Sequence, residues 1–124
     1  MRRVHLIGLV VIVAAGALWA TTARAQNSLT GNKLIGDCAE ALKDDVQFVN
    51  PQQVGYCTGL VRGVFVIAKL EGLFCPPERL PLIQLIRVVH NFLETNLEHN
   101  PARLYFPDGT LALFAIQEAW PCSS

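Results

Sequence analysis

The sequence predicts an all-α domain, a small four-helix bundle stapled by two disulfides. Three observations predict it. Apolar residues recur at helical spacing in four segments, clusters of Gly and Pro separate those segments, and an even set of four cysteines follows an N-terminal stretch of export type. No strand-period alternation, internal repeat or low-complexity segment interrupts the pattern.

Residues 1–25 read as a secretory signal peptide, and residues 26–124 as one helical domain. Arg2 and Arg3 give a basic start, Leu6 to Ala20 is an apolar run, and Ala23-Arg24-Ala25 supplies the small-x-small pattern for cleavage after Ala25. An apolar run of about 15 residues is short for a bilayer, which asks for about 20. The membrane is therefore expected to matter only during export. Arg2, Arg3 and Arg24 leave with this segment while all ten acids remain, so the mature chain holds 7 basic against 10 acidic residues, a net charge of −3. Such a balance offers no basic patch for nucleic acid. About 100 residues make a single domain, small enough for cross-links to matter to its stability.

Taken in order, Ser28 and Thr30 are candidate N-caps for a first helix, roughly Thr30 to Lys43, with Leu34, Ile35, Cys38, Ala41 and Leu42 inward. Lys33, Asp37, Glu40 and Asp44 are expected on its surface. Asn50-Pro51-Gln52-Gln53 then combines an N-cap, a proline at the first helical position and a glutamine at the third. The second helix follows, and Gln53 to Cys75 reads as one long amphipathic stretch with Cys57, Leu60, Val61, Val64, Ile67 and Ala68 buried. Gly55, Gly59 and Gly63 form a stripe along it, the pattern of a place where another helix approaches closely. Gly72 and Pro76-Pro77 end it.

The third helix, roughly Leu80 to Asn96, is apolar on most sides, with Leu82, Ile86, Val89, Phe92 and Leu93 as its core or dimer face. A helix of that kind is central or shared with a second copy, and a homodimer is the expectation. Leu97 to Asp108 reads as a loop carrying Glu98, His99, Arg103, Tyr105, Phe106 and Asp108. Aromatics on a polar loop mark a candidate partner-binding surface; the alternative is that Leu104 and Phe106 tuck under the bundle. Asp108 is placed as the cap of a fourth helix, Gly109 to Trp120, which Pro121 stops.

In an exported chain four cysteines read as two disulfides, with three pairings open. Topology narrows the choice. Cys38 and Cys57 are symmetric about a midpoint between Gln47 and Phe48, so an antiparallel hairpin brings them together. In an up-down-up-down bundle the ends of helices two and four share a pole, which pairs Cys75 with Cys122. Loops of about 20 and 50 residues would each contribute roughly 3–4 kcal/mol.

The same pairing argues against catalysis. Cys57 with His90 could form a thiol–imidazole pair only if the thiol were free. No cysteine or histidine spacing fits zinc, and Glu94 with Glu98 reads as a solvated helix end. The expectation is no catalytic residue, no metal ligand and no cofactor.

Thr30-Gly31-Asn32-Lys33-Leu34 with Cys38, Gly55-Tyr56-Cys57-Thr58-Gly59 with Gly63, Cys75-Pro76-Pro77, Gln84-Leu85 with Val88-Val89 and Phe92-Leu93, and Ala119-Trp120-Pro121-Cys122 occur in that order. With these landmarks the mature chain resembles the Rap1a/Tai family of small periplasmic immunity proteins. The resemblance implies a helical, disulfide-bonded, often dimeric periplasmic domain that binds a protein partner, a peptidoglycan amidase delivered by type VI secretion, and occludes its cleft. Ala102 to Leu113 departs from the Ala-rich run expected after the third helix. Two other binding roles compete. One is a periplasmic acid-stress chaperone that exposes the third helix when Asp44, Asp45, Glu71, Glu78, Glu94 and Glu98 protonate; the other is a stand-alone family member with an unrelated partner.

Overall fold

The structure, a computed structural model, describes residues 30–123. The expected export segment, its cleavage point after Ala25 and the candidate cap Ser28 lie outside the described residues. Four α-helices carry the fold: α1 Gly31–Ala41, α2 Pro51–Leu70, α3 Leu82–His99 and α4 Asp108–Ala119. Two short 3-10 segments, η1 Val46–Phe48 and η2 Pro101–Tyr105, fill the connections between α1 and α2 and between α3 and α4.

Each boundary has a local cause. At the start of α2 the Asn50 side chain accepts from the backbone N–H of Gln52 and Gln53, with Pro51 at the first helical position, as the sequence predicts. The far end falls earlier than predicted. Gly72 adopts φ 66°, a conformation that glycine takes without a Cβ clash. Leu73 N–H then donates to Ala68 O at 2.9 Å and Gly72 N–H to Lys69 O at 3.1 Å, the paired bonds that close a helix C-terminus. Gln53 to Cys75 is therefore not one helix: α2 stops at Leu70, and an extended segment takes over. That segment is held firmly. Phe74 is buried edge-on against Phe65 with ring centroids 5.2 Å apart, and Cys75 N–H donates to Trp120 O at 2.9 Å.

Both predicted disulfides are present, Cys38–Cys57 between α1 and α2 and Cys75–Cys122 between the extended segment and the end of α4. The first is fully buried and the second is exposed. The helix order departs from a simple up-down ring. α1 packs on α2 and α3, and α4 packs on the same two, whereas α1 and α4 meet only slightly. The long connection between α2 and α3 allows this arrangement.

Leu34, Val61, Leu85, Ile86, Val89, Leu93, Leu104, Leu111 and Ile116 form the buried core. Burying side chains of this size contributes roughly 1.5–3 kcal/mol each. α3 is the central helix, and Ile86, Val89, Phe92 and Leu93 of its expected core or dimer face are buried within this chain, with Leu82 half-buried beside them. Among the described residues no helix is long and apolar enough to cross a membrane.

The glycine stripe behaves differently from its prediction. A Cβ placed on Gly55, Gly59 or Gly63 would meet nothing within 4 Å, so no helix among the described residues approaches there. The close approach is at Gly31, where a Cβ would lie 2.5 Å from Leu111 Cδ1, 3.1 Å from Leu104 Cδ2 and 3.2 Å from the Leu104 carbonyl oxygen. Gly31→Ala is expected to destabilise the protein by about 1–3 kcal/mol through overpacking. Gly59→Ala is expected to stabilise it by up to about 1 kcal/mol, because alanine lowers the helix entropy cost with no contact to disturb. Urea unfolding midpoints of the two variants should move in opposite directions.

Candidate functional site

The residues expected to meet a partner gather at the junction of α3, η2 and α4. α3 runs to His99, longer than predicted, and Pro101 begins η2 directly after it. Leu104 is fully buried, which turns Tyr105 and Phe106 outward at 76% and 50% exposure. Of the two residues that could tuck under the bundle, Leu104 does so and Phe106 does not. The Phe106 ring stands edge-on to Phe114 with centroids 6.3 Å apart. Glu98 and His99 lie exposed on the last turn of α3, with Oε2 and Nε2 3.8 Å apart.

Arg103 is half-buried in this junction. Its guanidinium carbon sits 5.0 Å from the centroid of the Phe92 ring and 5.4 Å from that of Phe114. Attraction between the cation and two ring faces holds the group in one orientation, at about 0.5–2 kcal/mol per contact. It lines a groove of about 440 Å³ between α3 and α4, together with Asn91, Thr95, Asn96 and Glu118. Asn96 is fixed there by donating Nδ2–H to the Phe92 carbonyl at 2.8 Å.

Asp108 faces the other way. It is the first residue of α4 rather than its cap, is buried, and its carboxylate accepts from the Tyr56 hydroxyl and, at 2.7 Å, from the Gly109 N–H. Negative charge at a helix N-terminus is favourable there. Tyr56 belongs to a small polar cluster at the opposite side of the helix start. The Lys33 ammonium sits 4.3 Å over its ring and pairs with Asp37. Asp37, expected on the surface, is buried. Burial, then the hydrogen bond to Asp108 and the nearby charges of Asp108 and Asp37, push the Tyr56 hydroxyl up to about 12.

The structure therefore brings Glu98, His99, Arg103, Tyr105 and Phe106 to one exposed junction and assigns Asp108 to the interior. Sequence reading overlooked Tyr56, whose neighbours are distant in the chain, and the stacking of Arg103. The eleven-residue steps from Phe92 to Arg103 to Phe114 place these three residues near one side of successive elements, but only the fold makes them touch.

Cys57, a candidate nucleophile, is bonded to Cys38, and its partner in that reading, His90, lies with Nε2 3.6 Å from Glu94 Oε1 on the same helix. All four cysteines are in disulfides. Among the described residues no group of three or more His, Cys, Asp or Glu side chains could hold a metal ion. What remains is a rigid, covalently closed helical domain presenting an arginine and two aromatic side chains, the residue types that anchor protein interfaces. The class is a disulfide-stapled helical domain. The chain belongs to the family of Rap1a immunity proteins, whose model matches residues 30–122. Comparison with curated proteins gave no match, and neither did comparison with solved structures.

Two measurements check this description. A folded-state hydroxyl raised above its unfolded value of about 10 stabilises the fold fully below pH 10, and that contribution is lost as pH rises toward 12. Unfolding free energy should therefore fall between pH 10 and 12, with a shallower fall in Tyr56→Phe. At neutral pH the same variant is expected to lose about 1–3 kcal/mol, because the buried Asp108 carboxylate loses a donor. Separately, mild reductant without denaturant should open the exposed Cys75–Cys122 bond first, so that alkylation and mass spectrometry find two modified cysteines before four.

Proposed function

We propose that the protein acts in the periplasm as an immunity protein that binds a peptidoglycan amidase effector of a type VI secretion system and occludes its substrate cleft. The observation that carries this reading is the family match over residues 30–122. The structure supports it with a compatible surface: Tyr105 and Phe106 project from η2 and its exit, buttressed by the buried Leu104 and by the Phe106–Phe114 contact. A projecting pair on a stiff base fills a cleft without a large loss of conformational entropy. Export would precede this function, with residues 1–25 as the signal peptide and the oxidising compartment closing both disulfides.

The acid-stress alternative requires the apolar face of α3 to be available, and that face forms this chain's own core. Its acidic groups Asp44, Asp45, Glu71, Glu78, Glu94 and Glu98 are exposed and separate from that core.

Inhibition is the decisive experiment. Purified protein should bind and inhibit an amidase encoded beside it, measured by calorimetry and by hydrolysis of peptidoglycan fragments. Replacing Tyr105 and Phe106 together by alanine should weaken binding by a few kcal/mol, on the order expected for buried aromatic anchors. Unchanged affinity would remove η2 from the interface, and the absence of inhibition by the unaltered protein would overturn the occlusion reading.

A further inference from the structure

The groove that holds Arg103 does not end at the junction. A second groove of about 400 Å³ lies along α3 and shares Val88 and Asn91 with the first, adding Gln84 and Arg87 to its lining. The two grooves adjoin at Val88 and Asn91, and we take them as one trough along α3. From Gln84 to Asn96 this run of helix is about 18 Å long, the span of about five residues of extended chain.

We propose that this trough is a receptor for an extended acidic segment of a protein partner. The charge balance points that way. Two arginines line the trough against one carboxylate, Glu118, in a chain whose residues from 26 onward carry net −3. The ion pairs found among the described residues involve Lys33, Lys43, His90 and His99, so neither Arg87 nor Arg103 is neutralised by a carboxylate among those residues. Arg103 differs from the exposed Arg62, Arg79 and Arg87 in being half-buried and stacked between two rings. A planar fork held in that way loses little freedom on meeting a carboxylate, which it can bind through two parallel N–H donors.

The remaining polar lining selects peptide over other anions. Gln84, Asn91, Asn96 and Thr95 offer both donors and acceptors, which suit backbone N–H and C=O groups alternating along an extended strand. A polyphosphate would find only two cations and has no N–H groups for the acceptor oxygens of Gln84, Asn91, Asn96 and Thr95. The proposal takes the nature of its partner, a protein, from the immunity reading, and adds the chemistry by which that partner is recognised.

The test uses the oxidised protein and a defined probe, an acetylated and amidated hexapeptide alternating Glu and Ala, with its Gln–Ala counterpart. Nuclear magnetic resonance should show saturable shifts of the Asn91 and Asn96 side-chain amides and of Arg103 Nε–H with the acidic peptide. The Gln peptide should bind at least about tenfold more weakly, the scale of a charge-assisted hydrogen bond to a part-buried group. Arg103→Gln should weaken the acidic peptide about tenfold or more. Arg87→Gln, which leaves the Arg103 stacking intact, should weaken it several-fold, and Arg62→Gln, in a separate groove, should leave it unchanged. Circular dichroism melts confirm that each variant is folded. Equal response to both peptides, or equal weakening by Arg62→Gln, overturns the proposal. If the protein inhibits an amidase with an affinity unchanged in Arg103→Gln, the trough is also overturned while the immunity reading stands. Peptide binding without amidase inhibition supports the trough and removes the immunity reading.

Discussion

The fold depends on the contact at Gly31, where the start of α1 meets η2 and α4 with no room for a side chain. An isolated bridge between Thr30 and Pro107 lies directly beside it, and the Tyr56–Asp108 hydrogen bond ties α2 to the same helix start. Four elements, α1, α2, η2 and α4, are thus fixed against one another at a single seam. η2 spans from the end of α3 to that seam, so its path leaves little freedom: Leu104 goes inward, and Arg103, Tyr105 and Phe106 take the positions left to them. The display of the candidate binding residues is a consequence of packing one turn away from them.

The disulfides play a different part. Cys38–Cys57 sits inside the core and reinforces a helix pair already joined by a short connection, whereas Cys75–Cys122 anchors an extended segment that has few helical hydrogen bonds of its own. Phe74 and the Cys75–Trp120 backbone bond share that second task. Without them the route from α2 to α3 would be free to move, and α3 forms the floor of the trough.

Much of this was legible in sequence, and the reason is local chemistry. Asn50-Pro51 set the start of α2 through a cap that depends on four consecutive residues, and the cysteine pairing followed from symmetry about a short connection. The errors have one physical origin. Gly55, Gly59 and Gly63 look like a packing stripe, but only the positions of other helices decide whether a stripe is covered. Asp37 forms the i, i+4 pair with Lys33 that usually marks a solvated face, yet its carboxylate is buried beside Tyr56. Asp108 resembles a cap because of Pro107 before it and Gly109 after it, and instead bonds a tyrosine 52 residues away. Arg103 read as one charge in a loop because its two aromatic neighbours each lie eleven positions away.

The open face of α2 has its own consequence. Three glycines at which a Cβ would meet nothing among the described residues lower the intrinsic helicity of this element by roughly 3 kcal/mol relative to alanines, and its last turn carries Ile67 and Leu70 in solvent. Such a helix is held in shape by its neighbours and by the bonds near its two ends, more than by its own backbone. Before those sulfurs are joined, the chain is expected to be pliable along α2. Closing the two disulfides then gives α2 an order that its own residues do not supply.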